Sequence, residues 1–291
     1  MTTTAQWVAG ARLRTLPAAV APVLIGTGAA ADAGDVVLWK AFLALVVSLA
    51  LQVGVNYAND YSDGVRGTDA DRVGPLRLVG SGVARPEAVR AAAFAAFALA
   101  GICGVVLAAT TSWWLLIGGA AAVAAAWFYT GGSRPYGYRG LGEVAVFVFF
   151  GLVAVLGTAY VQVERVTAVA WAGGVAVGSL ACALLVINNL RDIPTDRTAG
   201  KRTLSVLIGD RKSRRLYVGL LATAFIVALL LVAATPWTLL ALGALPLAGR
   251  SVRLVVRGAD GPGLVRVLQQ TGVMELEYAV LLTLALVLGS L

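Results

Sequence analysis

The chain contains no histidine, only two cysteines in 291 residues, and just 13% charged side chains. Each shortage removes a class of function. Without histidine there is no His-ligated zinc or haem, no Ser-His-Asp triad and no imidazole base. Cys103 and Cys182 lie inside apolar runs without metal-ligand spacing, so they read as unpaired packing residues and not as a disulfide. Any metal falls to oxygen ligands, which favours Mg2+, Mn2+ or Ca2+. A soluble domain carries about 25% charged residues. This chain's 13%, with 59% hydrophobic residues and a mean hydropathy of +0.84, is the composition of a membrane protein.

What the chain has instead is long uncharged runs, at 41–59, 91–133, 144–163, 166–190 and 216–249. A membrane-spanning helix needs about 20 apolar residues. The runs 91–133 and 216–249 therefore divide into two helices each, with turns at Thr110–Trp113 and Thr235–Trp237. Adding 15–31 and 267–291, the latter interrupted by Glu275 and Glu277, gives an all-α, multi-pass bundle of about nine transmembrane helices. No linker or low-complexity segment divides it, so residues 1–291 read as a single domain. Arg12 and Arg14 precede an apolar segment without a small-residue cleavage site, which reads as a retained first helix.

The net charge of +8 is distributed by topology. With the N-terminus cytoplasmic, only Lys40 and Arg165 of the 23 Lys and Arg residues fall on the opposite side. This positive-inside pattern accounts for the basic residues without nucleic acid.

Two acidic clusters stand at the cytoplasmic ends of the second and sixth spans: Asn59-Asp60-Tyr61-Ser62-Asp63, running on to Asp69, and Asn188-Asn189-Leu190-Arg191-Asp192, running on to Asp196. A carboxylate at mid-bilayer costs roughly 2.5–3.5 kcal/mol on insertion scales, so such clusters mark function. A four-span offset preserves orientation, so the halves read as a weak parallel repeat that sets both clusters at one depth. Small-residue stretches such as Gly118–Ala122 and Gly173-Gly174 read as close helix packing.

Asn56, Asn59, Asp60 and Asp63 fit one helical face, after which Gly64 and Gly67 end the helix and place Asp69 in a loop. Asn188, Asp192 and Asp196 also share a face, with Pro194 breaking the helix before Asp196. Facing carboxylates repel unless cations lie between them. Mg2+ binds through one or two carboxylates plus substrate phosphates. The expected metal ligands are therefore Asn59, Asp60, Asp63, Asp69, Asn188, Asp192 and Asp196. The alternative is helix capping with salt bridges to neighbouring arginines. Arg66, Lys201 and Arg202 follow the clusters closely and suit diphosphate oxygens. In the loop after the fourth span, Tyr129, Arg134 and Tyr136 suit an aromatic acid by stacking and charge. An interfacial aromatic belt is the competing reading, favoured for Tyr138, and Glu143 reads as a helix N-terminal charge.

The segments Asn59–Asp69, Arg72-Val73-Gly74-Pro75-Leu76-Arg77 and Asn189–Asp196, running to Gly200-Lys201-Arg202-Thr203, resemble the UbiA superfamily of intramembrane aromatic prenyltransferases over nearly the whole chain. Arg12–Pro17 and Gly140–Glu143 add to the likeness, and the flanking residues point to the branch acting on 1,4-dihydroxy-2-naphthoate. The resemblance implies transfer of a polyprenyl group from polyprenyl diphosphate to that acid. CO2 and diphosphate would be lost and demethylmenaquinone formed, with Mg2+ as cofactor and Mn2+ as a substitute. It also implies catalytic roles for Asp63 and Asp192 and a place in the bacterial cytoplasmic (inner) membrane. One departure stands out: in an Asn-x3-Asp-x3-Asp pattern the third Asp comes two residues late, at Asp69. The rivals are a prenyltransferase for another acceptor, such as 4-hydroxybenzoate, and a cation-coupled transporter.

Overall fold

A computed structural model describes residues 2–67 and 76–291. Asp69 and Arg72, both named above, lie outside the described residues. Within them every regular element is helical: α1 Thr4–Gly10, α2 Pro17–Asp32, α3 Leu38–Val65, α4 Pro86–Ala109, α5 Leu115–Phe128, α6 Gly142–Val146, α7 Ala154–Val163, α8 Ala168–Arg191, α9 Ile193–Thr198, α10 Leu204–Ile208, α11 Asp210–Leu230, α12 Leu245–Val256 and α13 Gly261–Ser290. A π-helical segment, Phe147–Val153, joins α6 to α7, and a 3₁₀ stretch, Pro236–Ala244, leads into α12.

Local sequence explains the breaks. Thr3 and Gln6 form a capping box at the start of α1. Arg12 takes a left-handed conformation and Pro17 opens α2, so the chain bends by 51° between Thr4–Thr15 and Pro17–Asp32. The turns expected at Thr110–Trp113 and Thr235–Trp237 separate α4 from α5 and the end of α11 from the next helical stretch. Both cysteines are free.

The span count differs from the expected nine. Among the described residues, seven helices are long and apolar enough to cross a membrane, and the bent α1–α2 pair makes up to eight. The remaining expected span, α5, has only 14 residues. At 1.5 Å per residue it is about 21 Å long, against a hydrocarbon core of about 30 Å. Sequence hydropathy finds apolar runs, but Ser112-Trp113-Trp114 extends the turn before α5 and shortens it.

Two buried apolar clusters organise the bundle. The larger is built by α2, α7, α8, α11, the Pro236–Val256 helix and α13; the smaller by α1, α3, α4 and α5. Helix α8 is the central post, with 72% of its apolar window buried, against 28% for α3, α4 and Gly142–Val163. It crosses the π segment through glycines: a Cβ on Gly151 would lie 2.6 Å from Gly178 Cα and 2.7 Å from the Gly174 carbonyl oxygen. Close backbone approach of this kind needs small residues. We expect Gly151→Val to lower stability by about 1–3 kcal/mol, because backbone atoms cannot yield as a flexible side chain would. Thermal unfolding in detergent measures it, and an unchanged melting temperature would refute the tight crossing. The first acidic motif thus rides on α3 in one cluster and the second on α8–α9 in the other, with a cavity between them.

Candidate active site

The cavity has a volume of about 1150 Å3. Its polar end gathers residues from both motifs: Asn56, Asn59 and Asp63 from α3, and Asn188, Asn189, Asp192 and Asp196 from α8–α9. Arg12, Arg77, Tyr138 and Lys201 line the same region. Away from it the walls are apolar, formed by Leu107, Leu115, Phe149, Phe150, Val153 and Val161. Gly101 and Gly104 on α4, Gly118 and Gly119 on α5, and Gly157 on α7 also line it. A Cβ on any of these five would meet nothing within 4 Å. These glycines hold the cavity wide and do not serve close packing, which corrects the packing expectation for Gly118–Gly119.

The stripe of α3 that faces the cavity is Gln52, Asn56, Asn59 and Asp63, at helical spacing. Asp60 is not on it. Its carboxylate accepts from the backbone N–H of Leu78 at 2.8 Å and of Val79 at 3.0 Å, fully buried against the loop that returns to α4. Asp60 is therefore placed as a loop anchor, a correction to its expected role as a ligand. Asn59 Oδ1 accepts from the Thr130 hydroxyl at 2.7 Å.

Asp63 is the meeting point of the two halves. Its Oδ1 accepts a hydrogen bond from the Tyr138 hydroxyl and its Oδ2 faces Lys201 Nζ at 3.2 Å. Lys201 also stands 4.8 Å from the centre of the Tyr138 ring. Its position is set by the turn after α9: the Lys201 N–H donates to the Asp196 carbonyl, and Gly200 takes the left-handed conformation that the turn requires. On the other side, Arg191 donates to both Asp192 oxygens at 2.7 and 2.8 Å and to Asn188 Oδ1 at 2.9 Å. Asp192 itself is the hinge where α8 ends and α9 begins, so Asp196 lies on a short helix and Pro194 occupies its first turn.

The loop expected to hold an aromatic acid divides. Tyr129 and Tyr136 line the cavity, with their rings edge to face at 5.5 Å. Burial pushes the Tyr136 phenol up to about 12, so it stays a neutral donor, and it donates to the Ala125 carbonyl at 2.7 Å. Arg134 is exposed and is not among the cavity-lining residues. Arg66 and Arg202 are exposed as well and do not line the cavity. The Arg66 guanidinium donates to the Thr130 and Gly132 carbonyls, and the Arg202 N–H donates to the Tyr138 carbonyl. Arg66 and Arg202 brace the loop from outside the cavity, and the Arg66 guanidinium lies 5.6 Å from the centre of the Tyr138 ring, behind the residue that bonds Asp63. Sequence reading favoured an aromatic belt for Tyr138 and assigned no site role to Thr130, Arg12 or Arg77, although Arg12 and Arg77 lie in the segments that carry the family resemblance.

The donor set fits a hard divalent ion in a specific way. Among the described residues no three carboxylates cluster closely enough to hold a metal alone. Amide oxygens, water or a ligand's phosphates would have to complete the shell, which is how Mg2+ is usually bound.

Comparison with known proteins agrees with this architecture. The sequence profile of the UbiA prenyltransferase family matches residues 19–262. A 1,4-dihydroxy-2-naphthoate octaprenyltransferase of Mycobacterium tuberculosis is 56% identical over 291 residues, covering 100% of both chains. The protein of the same name from Escherichia coli is 38% identical, covering 98% of this chain and 95% of its own. Among solved structures, a UbiA homologue from Archaeoglobus fulgidus bound to GPP and Mg2+ has a TM-score of 0.67 at 14% identity, covering 97% of this chain and 99% of the other. One from Aeropyrum pernix has a TM-score of 0.65 at 17% identity, covering 94% and 98%. The chain belongs to the UbiA prenyltransferase family.

Proposed function

We propose that this integral membrane protein transfers a polyprenyl group from polyprenyl diphosphate to 1,4-dihydroxy-2-naphthoate, releasing CO2 and diphosphate and giving the prenylated naphthohydroquinone, the reduced (quinol) form of demethylmenaquinone. One observation carries the reading. A single cavity has Asn/Asp motifs from both halves at one end and an apolar, glycine-opened channel at the other. That polarity matches a diphosphate head with an isoprenoid tail. The full-length likeness to naphthoate octaprenyltransferases supports the choice of acceptor.

In this reading Asn59, Asp63, Asn188, Asp192 and Asp196 would hold Mg2+, with Mn2+ as a substitute. Held there, the cation would supply positive charge to neutralise the leaving diphosphate. In the same reading Lys201, 3.2 Å from Asp63, shifts its ammonium to a diphosphate oxygen when the donor binds. The allylic C–O bond breaks with its electron pair leaving on diphosphate, and the tail carbon bonds to the carboxyl-bearing ring carbon. CO2 then departs and leaves its electron pair to the ring. No strong base is needed to remove a ring proton, which suits a chain with no histidine. The apolar channel holds the tail out of water. The positive-inside distribution of the basic loops supports a polar end that faces the cytoplasm, in a bacterial cytoplasmic membrane.

An acceptor comparison tests the reading. Purified protein should prenylate dihydroxynaphthoate and leave 4-hydroxybenzoate unreacted. The reverse preference would reassign the acceptor.

A further inference from the structure

Glu143 stands next to the cavity and has no role in the chemistry above. It opens α6, and at 7% exposure it is buried. A charge serving only a helix N-terminus is satisfied in water, whereas burying a carboxylate costs several kcal/mol. Its Oε1 accepts from Asn189 Nδ2 at 3.0 Å, its Oε2 is buried without a hydrogen-bond partner, and its backbone carbonyl accepts from Cys182 Sγ at 3.0 Å.

Asn189 is the cavity-lining residue on the other side of that bond. An amide offers a donor at one corner and an acceptor at the other, and a free side chain can present either. With Nδ2 committed to Glu143, Oδ1 is the atom left for the cavity, and it makes no hydrogen bond among the described residues. Tyr129 completes the same patch of wall. Its hydroxyl rests against the first turn of α6, 3.2 Å from where a Cβ on Gly142 would lie. It feels the charges of Glu143, Asp63 and Asp196, and it too makes no hydrogen bond among the described residues.

We propose that Glu143 is a positioning residue for the aromatic acceptor: it locks the Asn189 amide so that Oδ1 accepts from a ring hydroxyl, with the Tyr129 hydroxyl alongside. The inference rests on the prenyl-transfer reading of the cavity. A ring hydroxyl donating to a carbonyl also gains electron density, which is the direction that attack on an allylic cation requires. The arrangement selects hydroxylated aromatic rings and has no bearing on the diphosphate.

Steady-state kinetics on purified Glu143→Leu and Glu143→Gln tests it. The leucine variant removes the acceptor that holds Asn189 and should raise KM for dihydroxynaphthoate by about tenfold, the worth of one neutral hydrogen bond. Its KM for prenyl diphosphate should not change. The glutamine variant, whose Oε1 can still accept from Asn189, should match wild type for both substrates. If Glu143→Leu does not fold, Asn189→Ala should show the same split. A rise in both constants together, or in neither, would overturn the inference while leaving the prenyl-transfer reading intact. Absence of prenyl transfer by the wild-type protein in the same assay would overturn both.

Discussion

Replacing Asp192 by asparagine is expected to cut prenyl transfer by ~10²–10³-fold while the protein still inserts and folds. Asp192 lines the cavity at the hinge between α8 and α9, and in the structure both of its oxygens face Arg191. Its negative charge is what a divalent cation would use. Asparagine keeps the shape and one acceptor for Arg191 but removes that charge. Alanine is the poorer test, since it strands a buried guanidinium, and breaking a buried pair in that way costs about 3–5 kcal/mol. Activity measured at saturating prenyl diphosphate, with Mg2+ titrated, separates the outcomes: the variant should stay slow and need more Mg2+. Near-normal turnover would mean that Asp192 serves only as a partner for Arg191. The same substitution at Asp63 should behave alike, with an added loss of stability, because it also weakens the bond to Lys201 that ties the halves together.

The second large effect concerns the tail. Gly104 lines the apolar part of the cavity, and a Cβ there would meet nothing within 4 Å. Gly104→Leu should therefore fold normally and fill space that a long isoprenoid chain needs. One methylene too many in a hydrophobic pocket changes kcat/KM by about 10–200-fold. We expect a loss of that order for a long polyprenyl diphosphate, with geranyl diphosphate, too short to reach the leucine, nearly unaffected. An equal loss for both donors would show that Gly104 matters for packing. No loss for either would place the tail elsewhere.

The sequence made the helical architecture and the membrane setting legible, because uncharged runs of span length have no other stable fold. It also made Asn59, Asp63, Asn188, Asp192 and Asp196 legible, because helical spacing puts each set on one face and all of them line the cavity. Asp60 was misread for a local reason. Adjacent helical positions point about 100° apart, and Asp60 turns to a loop whose return against α3 no spacing reveals. Arg66, Arg134 and Arg202 were judged by nearness in sequence, but near a helix end one residue of offset decides between cavity and surface. Tyr138 was read as an aromatic belt, since its bond to Asp63 exists only because its loop docks against Lys201 and Arg202. Glu143 showed its charge in the sequence but not its burial.

The central claim is that the two Asn/Asp motifs form one site that ionises a prenyl diphosphate and couples the tail to a naphthoate acid. The most direct measurement incubates purified protein with polyprenyl diphosphate, dihydroxynaphthoate and Mg2+, follows pyrophosphate release, and weighs the product by mass spectrometry. Pyrophosphate and a product equal in mass to the acceptor with its carboxyl group replaced by the prenyl group should appear together. Both should vanish when either substrate is left out or when EDTA is present. Solute movement across proteoliposomes without pyrophosphate release would contradict the account.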